Sequence, residues 1–178
     1  EVESAYARAH ALCQQVGDTA HLGPVLFGLW EFYKVRDDLQ TAREVAEELL
    51  TLGQRQDDPA LRLQGHRALG DSLISLGEFV AGLAQVEQGI ALYDAQRHRA
   101  HAFLYGQDPG AGCLSYAAAA LWMLGYPDQA LRRSHAALTL AHGLSHPFSL
   151  AQTLWFAVTF HGQRLEWPVA QAHAEALI

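Results

Sequence analysis

A short pattern that recurs along the chain limits what it can fold into. An apolar residue or a proline is followed three residues later by a small residue, and an apolar helical stripe comes next. Three copies begin at Leu39, Phe79 and Pro127, and a fourth begins at Trp167-Pro168, at separations of 40, 48 and 41 residues. Patterns that return at such intervals are typical of stacked units, each built from a few helices or strands. The sequence therefore predicts a repeated unit of helix A, a tight turn and helix B.

Residues that start and stop helices mark the ends of these units. Asp58-Pro59 and Asp108-Pro109 each place a capping side chain before a proline, as in the first turn of a helix. Glycines fall near the predicted helix ends, where a left-handed residue closes the last turn. These glycines are Gly53, Gly77, Gly125 and Gly143. The resulting prediction is nine helices, at residues roughly 2–16, 21–35, 38–53, 59–76, 78–95, 110–125, 127–142, 147–162 and 167–178.

The nine helices are expected to form a single repeat domain over residues 1–178. The first helix has the pattern of a B helix without its A partner, and the last is a shortened B helix. We therefore expect the chain to be a segment of a longer protein. The predicted helical units are 1–17 (partial), 21–53, 59–95, 110–143 and 147–178.

Composition supports an all-α chain. The sequence has 30 Ala and 27 Leu, both good helix formers, against 9 Val, 3 Ile and 6 Thr, which favour strands. This ratio leaves little material for a sheet. The fold class predicted from these counts and from the repeats is therefore all-α.

Charge and cysteine content narrow the partners and the compartment. The net charge of −7 disfavours nucleic acid and anionic lipid as partners. No basic region followed by an apolar run is present, so we expect no signal peptide, and no apolar run approaches the length of a membrane span. Cys13 and Cys113 are a hundred residues apart, and their spacing matches neither a zinc site nor a disulfide framework. Both are therefore expected to be buried free thiols. A cytoplasmic location is expected.

The second unit shows a family resemblance in the spacing of its apolar and small residues. The positions are His66, Leu69, Gly70, Leu73, Gly77, Phe79, Gly82 and Val86. This pattern resembles the tetratricopeptide (TPR) repeat. The resemblance implies an α-solenoid, a right-handed superhelix of antiparallel helix pairs. It also implies that small residues lie buried where the two helices of a pair cross closely. Those small residues are Gly70, Gly82, Ala118 and Ala130.

A narrower resemblance covers most of the chain and is clearest over residues 98–150. The amino-acid sequence at residues 105–110, 120–130 and 144–149 is similar to the C-terminal helical-repeat regions of large bacterial signalling ATPases. Such proteins have an adenylate/guanylate cyclase or protein kinase domain followed by an AAA-type ATPase module. The resemblance implies a regulatory repeat domain. It carries over no catalytic residue, because the cyclase and ATPase motifs belong to other parts of those proteins.

Motifs for catalysis, nucleotides or metals are missing from the sequence. Lys34, the only lysine, follows Tyr33, so no phosphate-binding loop ending in Gly-Lys-Ser/Thr is present. Two pairs of histidines have the spacing that places both rings on one face of a helix, namely His142 with His146 and His98 with His101. Neither pair has a carboxylate or thiol nearby at the spacing of metal ligands. We expect no catalytic residue, no cofactor and no metal site, and therefore no enzyme activity in this segment.

The A helices of TPR-like arrays line a concave groove. Carrying the register over from Leu69-Gly70 gives three groove positions in each A helix. The candidates are Phe27, Glu31 and Lys34; Arg67, Asp71 and Ser75; Ser115, Trp122 and Met123; and Phe156, Phe160 and Arg164. Trp122, Phe156 and Phe160 would form an apolar strip for a partner helix or extended peptide. The alternative is that these aromatic side chains pack between repeats.

Two functions remain open for such a groove. The first is a protein-protein interaction and regulatory scaffold, whose partner is a protein or peptide, including self-association through exposed terminal helices. The second is a small-ligand sensor that binds an effector in the groove. A sensor would show a deep, closed pocket with convergent polar groups, whereas an interaction module would show an open groove.

The longest repeat spacing places extra residues between 96 and 110. We expect Phe103 and Tyr105 to fold back against the adjoining repeats, with Asp108 as a cap and Pro109 as the first helical residue. The alternative is an extension of helix B by two turns. Four basic or titratable residues would form a docking patch for an acidic partner segment. These residues are Arg97, His98, Arg99 and His101.

Overall fold

The structure, a computed structural model, describes residues 2–16, 19–98 and 100–178, and these residues form helices and turns without a strand. The described residues contain ten helices. They are α1 (Val2–Val16), α2 (Thr19–Val35), α3 (Leu39–Arg55), α4 (Pro59–Ser75), α5 (Phe79–Leu92), α6 (His101–Leu104), α7 (Pro109–Met123), α8 (Pro127–Gly143), α9 (Pro147–Gln163) and α10 (Trp167–Leu177). The predicted all-α fold of consecutive packed helices is confirmed. The one helix absent from the sequence prediction is the four-residue α6.

The chain divides into two compact units, Glu1–Leu92 and Tyr93–Ile178. In each unit, successive long helices joined by tight turns pack on one another. In addition, α2 contacts α4 in the first unit and α7 contacts α9 in the second. Each unit therefore places two A helices side by side, as expected of a helical repeat.

Capping side chains start the helices at the predicted aspartates. Asp58 accepts hydrogen bonds from Ala60 N (2.9 Å) and Leu61 N (3.1 Å). Asp108 accepts from Ala111 N (2.9 Å), and Pro59 and Pro109 are the first residues of their helices. Both predicted cap-proline pairs are confirmed. Each carboxylate satisfies backbone donors that have no partner within the helix.

A left-handed residue closes each tight turn between the long helices from α2 onwards, but only two of the four predicted glycines take this role. Gly77 and Gly125 both have φ +84°. Gly53 instead lies buried within α3, where a Cβ would be 2.7 Å from the backbone nitrogen of Arg62. Gly143 is the last residue of α8. The left-handed residues of those two turns are Asp57 and Ser145, at φ 50° and 53°. Polar residues with short side chains tolerate this conformation better than most.

The segment after α5 is not an extension of that helix, so the alternative of two extra turns is wrong. The carboxylate of Asp94 accepts hydrogen bonds from Gln96 N (2.9 Å) and Arg97 N (3.0 Å), which turns the backbone out of the helix. Phe103 is 75% exposed, so its predicted burial is wrong, although its ring lies edge-on to His146. Tyr105 is half-buried.

Burial of the predicted small residues is confirmed. Gly70, Gly82, Ala118 and Ala130 are all buried. Neither Cys13 nor Cys113 is in a disulfide bond; Cys113 is buried, whereas Cys13 is half-buried. Within the described ranges, every helix is too short or too polar to cross a lipid bilayer.

Candidate functional site

The A helices of the first unit bring their predicted groove residues together as a network of charges. Lys34 on α2 forms an ion pair with Asp71 on α4, whose side chain is fully buried. Ser75 is exposed and donates to Asp71 Oδ1 at 3.3 Å. Arg67 Nη2 lies 3.9 Å from Glu31 Oε1, and its Nη1 donates to Gln64 at 3.5 Å. Two cations and two anions therefore lie within one helix-helix contact.

Aromatic rings cover the cations of this network. The guanidinium of Arg67 is 5.1 Å from the Phe27 ring and 5.6 Å from the Trp30 ring. Lys34 Nζ lies 5.1 Å from the Trp30 ring as well. Trp30 is fully buried and donates from Nε1 to Ser72 Oγ at 2.9 Å. Trp30 and Ser72 were not among the sequence candidates, because helix register alone does not show which of the polar residues becomes buried.

Arg67 and Asp71 are thus interior residues, each with 0% exposure. The Nε and Nη2 atoms of Arg67 are buried without a hydrogen-bond acceptor among the described residues. The arginine is instead held by the two rings and by the Glu31 carboxylate, an arrangement in which stacking replaces hydrogen bonds. That the residues of this network line a groove for a partner stays a prediction.

The A helices of the second unit surround a cavity of about 90 Å³ together with α8. Three predicted groove residues, Ser115, Phe156 and Phe160, line it. The complete lining is Ser115, Ala118, Ala119, Ser134, Ala137, Thr153, Trp155, Phe156, Thr159, Phe160 and Gln163. Small side chains from α7 and α8 face the larger aromatic side chains of α9.

The aromatic residues at this cavity pack in edge-to-face pairs. Phe156 meets Tyr116 at 4.8 Å and Trp155 at 5.0 Å between ring centroids. Phe160 meets Trp122 at 5.7 Å. Phe160 is buried, whereas Trp122 and Phe156 are half-buried. The three predicted strip residues therefore pack between the A helices and also keep part of two rings at the surface.

Two further side chains leave apolar surface beside these rings. Trp155, which the sequence register did not select, is 55% exposed, and the predicted Met123 is 57% exposed. Met123 lies one helical turn after Ala119, so both are on the same face of α7. Large exposed apolar residues grouped in this way are typical of interaction sites.

Arg164 joins the aromatic cluster to an ion pair. Its guanidinium lies 5.5 Å from the Phe160 ring and 5.9 Å from the Trp122 ring. It also donates from Nη2 to Glu166 Oε1 at 2.8 Å, and His161 Nδ1 lies 2.6 Å from Glu166 Oε2. The hydrogen bonds from Arg164 and His161 lower the pKa of Glu166 to about 2.

Histidines gather near the same ion pair without forming a metal site. The rings of His161 and His173 are 5.4 Å apart. Burial lowers the pKa of His173, and the charges of His161, His135 and His142 lower it further. Across the part of the chain that the structure describes, no three metal-binding side chains are arranged to hold an ion.

In the candidate pair of His142 and His146, the second histidine has a structural role at the start of α9. His146 caps α9: its Nδ1 accepts from Ser149 N at 3.2 Å and lies 2.9 Å from Ser149 Oγ. The same hydroxyl accepts from Asp108 N at 2.8 Å, which ties the start of α7 to the start of α9. His146 is therefore a capping residue.

The predicted docking residues between α5 and α7 have different surroundings. Arg97 is at the surface, with its side chain 83% exposed and 3.9 Å from Asp94. His98 is buried, stacks on Tyr93 at 5.9 Å and accepts from Asp94 N through Nδ1. His101 is half-buried against the His98 ring. Arg99 lies outside the described residues.

Charge is divided unevenly between the two units. Residues 1–92 include seven basic and fourteen acidic side chains, whereas residues 93–178 include five of each. The whole net charge of −7 therefore belongs to the first unit. The second unit, which contains the cavity and its exposed aromatic residues, is neutral with its histidines uncharged.

Neither a family model nor a curated protein matches this sequence. The class that the structure defines is an all-α protein of helical repeats.

Proposed function

We propose that this chain is a non-catalytic scaffold that binds a protein or peptide along its A helices. The observation that supports this function best is the surface of α7 and α9 around the cavity. There the half-buried Trp122 and Phe156 lie beside the exposed Trp155. Aromatic side chains in this setting provide most of the binding energy at many protein interfaces. We name the exposed side chains Met123, Trp155, Thr159 and Gln163 the α7–α9 surface.

The cavities of the second unit favour this function over the sensing of a small effector. The two larger ones, of about 350 Å³ beside Asp128 and about 310 Å³ beside Thr139, lie open to solvent, and the cavity between α7, α8 and α9 is small. Pockets that enclose a small ligand have volumes of about 300–1,000 Å³, whereas this cavity has about 90 Å³. Its lining includes no charged side chain that would hold a polar effector in place. An open surface with a small cavity suits a protein or peptide that lies on the surface and inserts only a small group into the cavity.

The finer assignment of this proposal rests on resemblance. Residues 105–110 and 120–130 resemble the helical-repeat regions of bacterial signalling ATPases with cyclase or kinase domains. In such a protein the scaffold would regulate catalytic domains located elsewhere in the chain. Two cysteines that are not joined in a disulfide support a reducing, cytoplasmic compartment for this protein.

Under this proposal the partners include a second copy of the chain. Exposed apolar side chains occur on both terminal helices, with Val2 and Leu12 on α1 and Val169 and Leu177 on α10. Sedimentation equilibrium over a range of concentrations would detect self-association. Val169→Glu should weaken it if α10 forms the contact.

Selection from a random peptide library tests the proposed surface. We expect peptides with a shared apolar motif to be enriched on the wild-type protein. Met123→Arg and Trp155→Arg should abolish their binding, since both side chains are more than half exposed and the variants should fold normally. Val80→Arg on α5 is a matched control, because Val80 is 72% exposed on a B helix of the first unit. Failure to enrich a motif, or equal loss of binding in Val80→Arg, would contradict the proposal.

A further inference from the structure

The cavity between α7, α8 and α9 exists because the side chains that face it from α7 and α8 are small. Ala118 and Ala119 on α7 and Ala137 on α8 present single methyl groups to it. Opposite them, Phe156 and Phe160 are fixed by edge-to-face contacts with Tyr116 and Trp122. Because the rings are held by these contacts, they are not free to move in and fill the space left by the alanines.

Three of the four hydroxyl groups that line the cavity donate hydrogen bonds within their own helices. Ser115 donates to Ala111 O at 2.9 Å, Thr153 donates to Ser149 O at 2.8 Å and Thr159 donates to Trp155 O at 3.0 Å. These bonds run back along the helix that holds each residue, so they do not depend on an occupant. No lining side chain has a charge. A charged group would therefore lose its hydration on entry without gaining an oppositely charged partner.

Volume limits the occupant further. The cavity has a volume of about 90 Å³. A dry cavity of about 150 Å³ accommodates benzene, so this smaller space suits a compact apolar group smaller than an aromatic ring. Among protein side chains, this describes the branched aliphatic groups of valine, leucine and isoleucine.

The mouth of the cavity opens on the proposed interaction surface. Trp155, Thr159 and Gln163 line the cavity and are exposed, spaced by one turn along α9. A segment lying along α9 would contact these residues with its backbone while one side chain entered the cavity. Burial of a central anchor within a ring of weaker contacts is a common arrangement at protein interfaces.

We propose that this cavity is a socket for one branched aliphatic side chain of a bound protein segment. This inference rests on the proposed interaction function, to which it adds the chemistry of the anchor. The anchor is valine, leucine or isoleucine, not an aromatic or charged residue. Replacing it by alanine in a bound segment should weaken binding about 10- to 100-fold.

Capped single amino acids test the socket without a known partner. N-acetyl-leucine methylamide is titrated into the ¹⁵N-labelled protein, and amide chemical shifts are followed by NMR. We expect saturable shifts confined to the lining residues, Ala118 and Thr159 among them. The valine and isoleucine analogues should act similarly, whereas the phenylalanine and aspartate analogues should bind at least about tenfold more weakly.

Filled variants provide the control. Ala119→Leu places an isobutyl group within the cavity and should abolish the shifts without lowering the melting temperature. Ala136→Leu adds the same group at an exposed position on α8 outside the lining and should leave binding unchanged. If Ala119→Leu destabilises the protein, Thr159→Leu fills the cavity from its exposed mouth instead and should have the same effect on binding.

Each other outcome overturns a stated part of the proposal. Equal binding of the phenylalanine analogue would show that the size limit is wrong. Binding that persists in both filled variants, or no shift with the leucine analogue, would show that the cavity is not a socket. A small molecule found in the purified protein by native mass spectrometry, and displaced by Ala119→Leu, would replace the protein anchor with a free ligand. Peptide selection on the α7–α9 surface is read separately, so failure of the socket leaves that result standing.

Discussion

Gly70 and Gly82 face each other where α4 crosses α5. A Cβ added at Gly82 would lie 2.9 Å from the carbonyl oxygen of Gly70, and one added at Gly70 would lie 3.1 Å from the carbonyl oxygen of Gly82. Each added carbon would also meet a branched side chain at 2.5 Å, from Ile74 at one position and from Val86 at the other. The two backbones are therefore too close for any other residue at either position.

Enlarging Gly82 should destabilise the first unit. We expect Gly82→Leu to lower the free energy of unfolding by about 1–3 kcal/mol or more, because the new side chain overpacks a crossing with no free space. Urea unfolding measures the change. Gly143→Ala is the control, since no atom outside its own helix and chain neighbours lies within 4 Å of the added carbon. The control should be neutral or slightly stabilising. An unchanged urea midpoint in Gly82→Leu would contradict the close crossing.

Breaking the ion pair of Lys34 and Asp71 should be costly. Asp71 is fully buried, so Lys34→Met would leave its carboxylate without a compensating cation at the surface of α2. We expect a loss of about 3–5 kcal/mol in urea unfolding. The double variant Lys34→Met/Asp71→Leu should lose less than the sum of the two single variants, because no buried charge remains unpaired. Additive losses would show that the two charges do not interact.

Stability should fall as the pH decreases through the histidine range. Burial lowers the pKa of His66, and the charge of Arg62 lowers it further, against the opposing hydrogen bond with Gln85. The pKa of His173 is lowered as well. The unfolded chain therefore binds protons more readily than the native one below about pH 6.5. Urea midpoints should be lower at pH 5.5 than at pH 7.5, and His66→Gln should reduce the difference. An equal difference in wild type and variant would refute this assignment.

The carboxylate of Glu166 should remain ionised far into the acidic range. With its pKa lowered to about 2 by Arg164 and His161, Glu166 contributes stability above about pH 4.5, and this contribution is lost as the pH falls towards 2. A side-chain carboxyl NMR titration measures the pKa directly. Arg164→Ala should move it upwards towards the ordinary value of a glutamate, whereas Arg132→Ala, a change at an exposed arginine on α8, should not.

Local chemistry explains the parts of the fold that the sequence predicted well. The caps at Asp58 and Asp108 depend only on residues within three positions along the chain. The same holds for Gly77 and Gly125, where a left-handed turn suits glycine. By contrast, α6 has four residues and no capping side chain, so nothing in its own sequence marks its ends.

The sequence predicted which helices carry the residues of the candidate site, but not which of these residues are buried or where the cavity lies. Helical register located Arg67 and Asp71 on the A helices, but their burial depends on Lys34 and Phe27, more than thirty residues away. The cavity depends on how alanines of two helices face the aromatic residues of a third, which no single segment encodes. Helical register selects Phe156 as a groove residue and does not select its neighbour Trp155, which is 55% exposed.

Photo-crosslinking in cells tests the interaction surface most directly. A photoreactive phenylalanine analogue replaces Met123 on the α7–α9 surface of the full-length protein, and Val80 on α5 as control. Met123 is 57% exposed and does not line the cavity, and Val80 is 72% exposed. We expect a discrete protein adduct from position 123 that is absent from position 80 and is lost when Trp155→Arg is added. Equal adduct patterns at both positions, or none at position 123, would contradict the account of this protein as an interaction scaffold.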